Sequence, residues 1–166
     1  MACVTVAALA TTLFAADFLS ITLKHNSPRE LQTKAELEQV LRDYDLRKFT
    51  FTREVVIEEL SSFIHEQLHW YLREHPAQMR DAVDQLRQFY PRVPVGGSEG
   101  AETEYSTYGH IIDCYLEIQA DRQLIGEERT RAVIRDKKHY AWIYQTDLND
   151  EPRITAIVHR ERLQIE

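Results

Sequence analysis

The sequence predicts an α+β fold that is mainly helical, with a small antiparallel sheet, in a single domain over residues 1–166. Long stretches carry apolar residues every three or four positions, which is the period of an amphipathic helix. A few short stretches alternate apolar and polar residues instead, as half-buried strands do. With 166 residues, of which 43% are hydrophobic and 28% charged, the chain is long enough and apolar enough to form one core.

The N-terminal half is predicted to alternate strands and helices. Its elements are a strand over 17–25, a helix after Ser27, a short strand over 48–52 and a helix over 53–75. Ser27 is a good N-cap residue, and Pro28 fits the first position of the helix that follows. Pro76 ends the last of these helices, because proline cannot continue the hydrogen-bond ladder of a helix interior.

The C-terminal half is predicted to contain three helices and a pair of strands. Its elements are helices over 76–90, 107–125 and 127–136, a loop over 91–100, and two antiparallel strands within 139–163. Two prolines and three glycines mark the loop. Gly126 suits a helix C-terminus, and the pair Asn149-Asp150 suits the turn between the two strands.

The uncharged segment 1–16 allows two interpretations. It is either a buried strand or helix of the domain or a secretory signal, although no Lys or Arg precedes it. It is too short to span a bilayer, so no membrane association is expected. We expect a cytoplasmic protein, with secretion as the alternative. The two cysteines, Cys3 and Cys114, are too few for a disulfide framework.

The charge of the chain excludes one class of partner. The formal net charge is -7, and no dense cluster of Lys and Arg stands out. Such a surface repels a polyanion, so we expect no nucleic-acid binding.

The segment "SSFIHEQLHWYL" (61–72) carries the strongest chemical signal. His65 and His69 are four residues apart, so on a helix they lie on one face and can bind the same metal ion. Glu66 lies one step around, where its carboxylate can reach a water on that ion. The histidines lie beside the apolar side of the helix. Alternatively, they are ordinary core or surface histidines.

The predicted helix 107–125 offers a third ligand. Its polar residues fall within a narrow arc: His110, Asp113, Glu117 and Asp121. Carboxylates on an apolar helix are costly unless they are paired or bound to a metal. A stripe of ordinary salt bridges is the alternative.

These two motifs together resemble the gluzincin group of zinc metallopeptidases. The resemblance covers the His65-Glu66-x-x-His69 helix and the helix with Glu117-x-x-x-Asp121, and it implies a zincin-like active-site helix in a minimal single-domain form. It implies that His65, His69 and Glu117 bind Zn²⁺ and that Glu66 is the general base. Asp121 would accept a hydrogen bond from the ring N–H of a ligand histidine and so hold its orientation. Leu116 departs from the group, in which an Asn usually precedes the Glu.

The resemblance also implies a peptide or protein substrate and a donor to the oxyanion. Tyr140 is the predicted donor, because it begins the predicted strand that carries Trp142 and Tyr144 on the same face. Core packing is the alternative for this aromatic face. The other candidate donors are His110, His139, Tyr105 and Tyr108.

The sequence is also compatible with two other functions. One is a zinc-binding domain without peptidase activity, either a hydrolase of another amide or a regulatory module. The other is a helical interaction domain without a metal. The sequence does not predict an oligomeric state.

Overall fold

The computed structural model describes residues 19–23, 25–51, 54–57 and 63–165, with the backbone alone for 29 and 54–57, and it is mainly helical. The predicted character of segment 1–16 lies outside these residues. The elements, in chain order, are β1 (Ser20–Leu23), α1 (Pro28–Asp43), a 3-10 turn (Arg47–Phe49), β2 (Glu54–Ile57), α2 (Phe63–Arg73), α3 (Pro76–Phe89), α4 (Glu104–Ile125), α5 (Glu127–Asp136), α6 (Ala141–Asn149) and α7 (Glu151–Arg160).

The predicted antiparallel sheet is wrong, because the two described strands pair in parallel. Ser20 of β1 lies opposite Glu54 of β2, and Leu23 lies opposite Ile57. Parallel pairing needs a crossover connection, and α1 is that crossover. The predicted strand 48–52 gives way to the 3-10 turn, and β2 occupies part of the helix predicted over 53–75.

The two strands predicted within 139–163 are also wrong: these residues form α6 and α7. The buried residues of α7 are Ile154, Ile157 and Val158, which have helical rather than alternating spacing. Pro152 lies in the first turn of α7, where proline costs no hydrogen bond. The aromatic alternation of Tyr140, Trp142 and Tyr144 therefore does not reflect a strand.

Helix α4 is the centre of the molecule, since α2, α3, α5, α6 and α7 all pack against it. Apolar side chains are buried on several sides of α4, as a helix surrounded by neighbours requires. Thr103 and Ser106 form a capping box at its start, and Gly126 follows its last residue with a positive φ of 82°. Among the apolar residues α4 also buries Asp113 and Glu117.

Helix α2 packs against α4 and also contacts the segment around the 3-10 turn. Leu68 is fully buried, and the side chain of Gln67 accepts a hydrogen bond of 2.7 Å from the backbone N–H of Phe51. This bond ties α2 to the segment after the 3-10 turn, and on α2 the ring of His65 contacts Glu117 of α4. Within the described ranges, no helix combines the length and the apolar character that crossing a bilayer demands.

Candidate metal centre

Helices α2 and α4 bring four potential metal ligands together: His65, His69, His110 and Asp113. One nitrogen or oxygen from each lies within 4.8 Å of the corresponding atoms of the others. His65 and His69 are one turn apart on α2, as the sequence pattern predicted. His110 and Asp113 are three residues apart on α4 and thus also share a face.

The carboxylate of Asp113 is the most telling part of this group. It is 1% exposed, and in the described part of the chain neither of its oxygens has a hydrogen-bond partner. Its Oδ2 lies 3.4 Å from Nε2 of His65 and 3.4 Å from Nε2 of His69. Two ligands at roughly 2.1 Å from a tetrahedral ion would be about 3.4 Å apart. These two spacings match a tetrahedral metal, the other ligand atoms are within 4.8 Å, and a metal would give the buried carboxylate a partner.

Hydrogen bonds on the far side of two of the rings set which nitrogen is presented. Nδ1 of His110 lies 2.7 Å from the backbone carbonyl of Ser106, and Nδ1 of His65 lies 3.1 Å from Oε2 of Glu117. An N–H at Nδ1 that donates to these oxygens leaves the lone pair on Nε2. Histidine ligands of metals usually have such a partner behind the ring.

Glu117 lies behind His65 and outside the group of four. Its two oxygens are already engaged: Lys137 donates to Oε1 at 2.7 Å and Tyr144 donates to Oε2 at 2.7 Å. Glu117 does belong to a second possible group with His65 and Cys114. The ammonium group of Lys137 bound to the Glu117 carboxylate would repel a metal ion at this position. The geometry therefore favours a role for Glu117 in orienting His65, and not the metal-ligand role that the resemblance implies.

The charges of the centre agree with this division. Burial raises the pKa of Asp113 to about 7. Burial also opposes ionisation of Glu117, but hydrogen bonds and charges from His65 and Lys137 prevail and lower its pKa to about 2. Burial lowers the pKa values of His69 and His110 to about 4, so both rings are neutral near neutral pH. Neutral imidazole is the form that binds a metal. Burial opposes the charged form of His65, but the hydrogen bond with Glu117 and the charge of Asp113 prevail and raise its pKa, so a metal would have to displace a proton from this ring.

Glu66 and Tyr140 lie at the solvent side of this group. Glu66 is exposed, and its negative charge acts on the pKa values of His110, Asp113 and Tyr140. The ring of Tyr140 lies 4.4 Å from that of His110 and 5.9 Å from that of His65, between centroids. Tyr140 has φ 60° and ψ 30° directly before α6, a conformation that non-glycine residues rarely adopt. It therefore reaches the centre from a strained turn.

Asp121 does not support a ligand histidine in the described structure. It lines a separate cavity of about 290 Å³ with Phe63, Ile64 and Leu124. Burial and the charge of Glu117 raise its pKa to about 7. The resemblance gives Asp121 the role of holding a ligand histidine, whereas the carboxylate beside His65 is that of Glu117, one turn earlier.

The other candidate donors are in different surroundings. Tyr108 is buried and its hydroxyl donates to the carbonyl of Tyr90. Tyr105 is 48% exposed, and His139 is exposed. Of the donors considered from the sequence, only His110 and Tyr140 contact the rings of His65 or His69 in the described residues.

Lys137 and Tyr144 are functional candidates that the sequence did not reveal. Lys137 follows α5, and Tyr144 lies on α6, so both come from segments far from the motif. Their spacing matches no motif, and their role depends on how α5 and α6 pack on α4. The pair His110-x-x-Asp113, in contrast, was visible as part of the polar arc.

Comparison with known proteins gives no relative, since no family model, no curated protein and no solved structure matches the chain.

Proposed function

We propose that the protein is a metal-dependent hydrolase, a metallopeptidase that uses Zn²⁺ to cleave peptide bonds in a peptide or protein substrate. The observation that carries the proposal is the buried Asp113 carboxylate. It has no hydrogen-bond partner in the described structure and lies 3.4 Å from Nε2 of both histidines of the motif. A site of nitrogen and oxygen ligands with tetrahedral spacing suits zinc.

His65, His69 and Asp113 are the proposed ligands. This set replaces Glu117 with Asp113 and leaves Glu117 as the residue that orients His65. Three protein ligands keep one position open for water, as catalytic zinc sites do. When bound, zinc lowers the pKa of a coordinated water and polarises a substrate carbonyl.

Glu66 and Tyr140 do the remaining chemistry in this proposal. The exposed carboxylate of Glu66 accepts the proton that the attacking water loses, and later passes it to the leaving amine. The hydroxyl of Tyr140 donates a hydrogen bond to the substrate oxygen as it gains negative charge. The ring contact between Tyr140 and His110 keeps this phenol beside the ligands.

A zinc-binding domain without peptidase activity is the second candidate. It is favoured by the position of His110, whose ligand atom lies within 4.8 Å of the other three. If His110 also binds, four protein ligands close the tetrahedron and no position remains for water, as in structural zinc sites. The proposed cytoplasmic location applies equally to both candidates.

The test combines metal analysis with hydrolysis in Glu66→Gln and His110→Ala. For a peptidase, Glu66→Gln keeps the metal and loses hydrolysis by a factor of ~10² or more, the scale of a general base. His110→Ala keeps its metal if three ligands suffice. Loss of the metal in His110→Ala, with no hydrolysis by the unaltered protein, would favour the closed structural site. A protein that takes up no zinc would end both candidates.

A further inference from the structure

A groove beside the candidate metal centre is lined by both apolar side chains and arginines. It has a volume of about 470 Å³, and α2, α3 and the first half of α4 line it. His69, His110 and Asp113 of the candidate centre are among its lining residues. Leu72, Pro76 and Met79 add apolar side chains to the lining, and Arg73 and Arg80 add two guanidinium groups. Its volume is within the range of ligand sites.

Gly109 lines this groove without a side chain. It lies within α4, where glycine is less favourable than alanine because of its conformational freedom. A Cβ at this position would meet only Cε of Met79, at 3.9 Å, so packing does not demand a glycine. The residue precedes His110 and lines the groove. A side chain larger than a methyl group at position 109 would project into the space beside the ligands.

The two arginines distinguish the groove from the rest of a chain whose net charge is -7. Both are exposed, and in the described residues neither forms an ion pair with Asp or Glu. Arg73 lies over the ring of Trp70, with its guanidinium carbon 4.8 Å from the ring centroid. Trp70 is 45% exposed. Stacking on an aromatic face orients a guanidinium while leaving its N–H groups available to a carboxylate.

We propose that this groove binds the substrate through an apolar side chain followed by a carboxylate. The apolar side chain enters beside Leu72, Met79 and Gly109, and the carboxylate of the next residue contacts Arg73 and Arg80. This inference rests on the proposed function, because it names the peptide that the metal centre would cleave. The substrate is thus a segment in which an apolar residue precedes an acidic one.

The experiment measures binding of two labelled peptides to the metal-loaded Glu66→Gln variant. The peptides carry fluorescein and are identical except that one leucine is followed by glutamate or by lysine. We expect the glutamate peptide to bind roughly tenfold more tightly, as a charge-assisted hydrogen bond would give. Raising the salt concentration weakens this preference, because the arginines are exposed.

Two sets of added substitutions test the two halves of the groove. Arg73→Glu with Arg80→Glu should reverse the preference toward lysine, whereas Arg135→Glu, at an exposed position on α5, should leave it unchanged. Gly109→Leu should weaken the binding of both peptides at least tenfold, since the leucine side chain fills the apolar part of the groove. The metal content of this variant should stay the same. Gly109→Ala is the matched control that adds only a methyl group.

The outcomes separate this inference from the proposed function. A metal-containing protein that binds both peptides equally, or keeps its preference after both arginines are reversed, overturns the groove and leaves the metal centre standing. A protein without metal that still prefers the glutamate peptide supports the groove and overturns the hydrolase. Unchanged binding in Gly109→Leu overturns the apolar half.

Discussion

At the scale of single residues, the two nitrogens of His65 divide the centre into an inner and an outer part. Nε2 lies toward Asp113 and Nδ1 toward Glu117. A ring between two carboxylates can bind a metal on only one side while donating on the other. Lys137 already neutralises the charge on the Glu117 side. Asp113 has no ion pair with Lys or Arg in the described residues, and burial raises its pKa to about 7, so a bound metal would take the place of a proton there.

The first prediction compares the two carboxylates directly. Asp113→Asn should abolish stoichiometric zinc, because it removes a charged ligand from a buried site. Glu117→Gln should keep the zinc with an affinity lower by roughly 10- to 100-fold, the usual cost of losing a residue behind a ligand histidine. Zinc content after dialysis and competition with a chelator measure both. The reverse pattern, with Glu117 essential and Asp113 dispensable, would restore the ligand set that the gluzincin resemblance implies.

The second prediction concerns Asp121 and the pH. Its pKa is raised from 3.8 to about 7 by burial and by Glu117. Between these values the folded chain keeps a proton that the unfolded chain releases, so stability falls as the pH rises, and the loss is complete above about pH 7. Asp121→Asn should therefore stabilise the metal-free protein by about 1–3 kcal/mol at about pH 8 and by less at about pH 5.

Urea unfolding at the two pH values measures this difference. Asp81→Asn, which removes the same charge from the exposed surface of α3, is the matched control. A gain in Asp121→Asn that is larger at the lower pH would contradict the assignment. Full zinc content in this variant is also expected, since Asp121 supports no ligand histidine in the described structure.

The sequence predicted the residues of the motif but could not choose between the carboxylates of α4. His65 and His69 were predictable because their spacing lies within one helix. Asp113 and Glu117 are one turn apart on the same face of α4, so spacing alone makes both suitable. The choice depends on how far α2 is shifted along α4. That shift follows from packing, including the bond between Phe51 and Gln67, which no local pattern records.

At the scale of elements, helices with a start signal and a long apolar period were predictable. Helices α1, α3, α4 and α5 were confirmed within a few residues, and β1 was confirmed over a shorter range. Helices α6 and α7 were not, because α6 is short and its aromatic residues happen to alternate. Asp150 before Pro152 is a signal for the start of a helix, but Asp150 after Asn149 equally suits a turn between strands.

The third prediction tests the loop that joins α3 to α4. A Cβ on Gly100 would lie 2.2 Å from the backbone oxygen of Pro94. That oxygen accepts a hydrogen bond from the hydroxyl of Thr107, which itself accepts one from the N–H of Ala101. Gly100→Ala should therefore destabilise the protein by about 2 kcal/mol or more, as steric strain on a bonded backbone does. Thermal unfolding measures it.

Gly109→Ala is the control for this substitution, because its added methyl group would make only an ordinary van der Waals contact, 3.9 Å from Cε of Met79. It should be neutral or stabilising by up to about 1 kcal/mol. The loop also holds α6 near the centre, since the carbonyl of Ser98 accepts a bond from the N–H of Ala141. Gly100→Ala should thus also lower hydrolysis, through Tyr140. A fully stable Gly100→Ala variant would contradict the described course of the loop.

At the scale of the whole molecule, the candidate metal centre lies on the helix that contacts the most other helices in the described residues. Helix α4 contacts five other helices, and its polar residues Asp113 and Glu117 connect two of them to the centre. His65 and His69 come from α2, whereas Lys137 and Tyr144 come from the segment of α5 and α6 that approaches Glu117. A cation beside Asp113 would balance one of the carboxylates that the described interior buries without a hydrogen-bond partner; Asp147 of α6 is another.

The last prediction follows from this arrangement. If zinc binds the folded chain and not the unfolded one, as the proposed function requires, a hundredfold excess of zinc over the dissociation constant should stabilise the folded protein by about 2.7 kcal/mol. For a chain of this length that corresponds to a rise in the unfolding temperature of roughly 5–10 °C. Scanning calorimetry before and after a chelator, and again after zinc is returned, measures the change.

Asp113→Asn provides the control, and it makes the prediction specific to this site. The variant should not respond to the chelator, because it holds no zinc. Without metal it should also be at least as stable as the unaltered protein, since an amide is less costly than a carboxylate in a buried place without a partner. If the unaltered protein unfolds at the same temperature with and without zinc, the group His65, His69, His110 and Asp113 is an ordinary polar cluster and not a metal site.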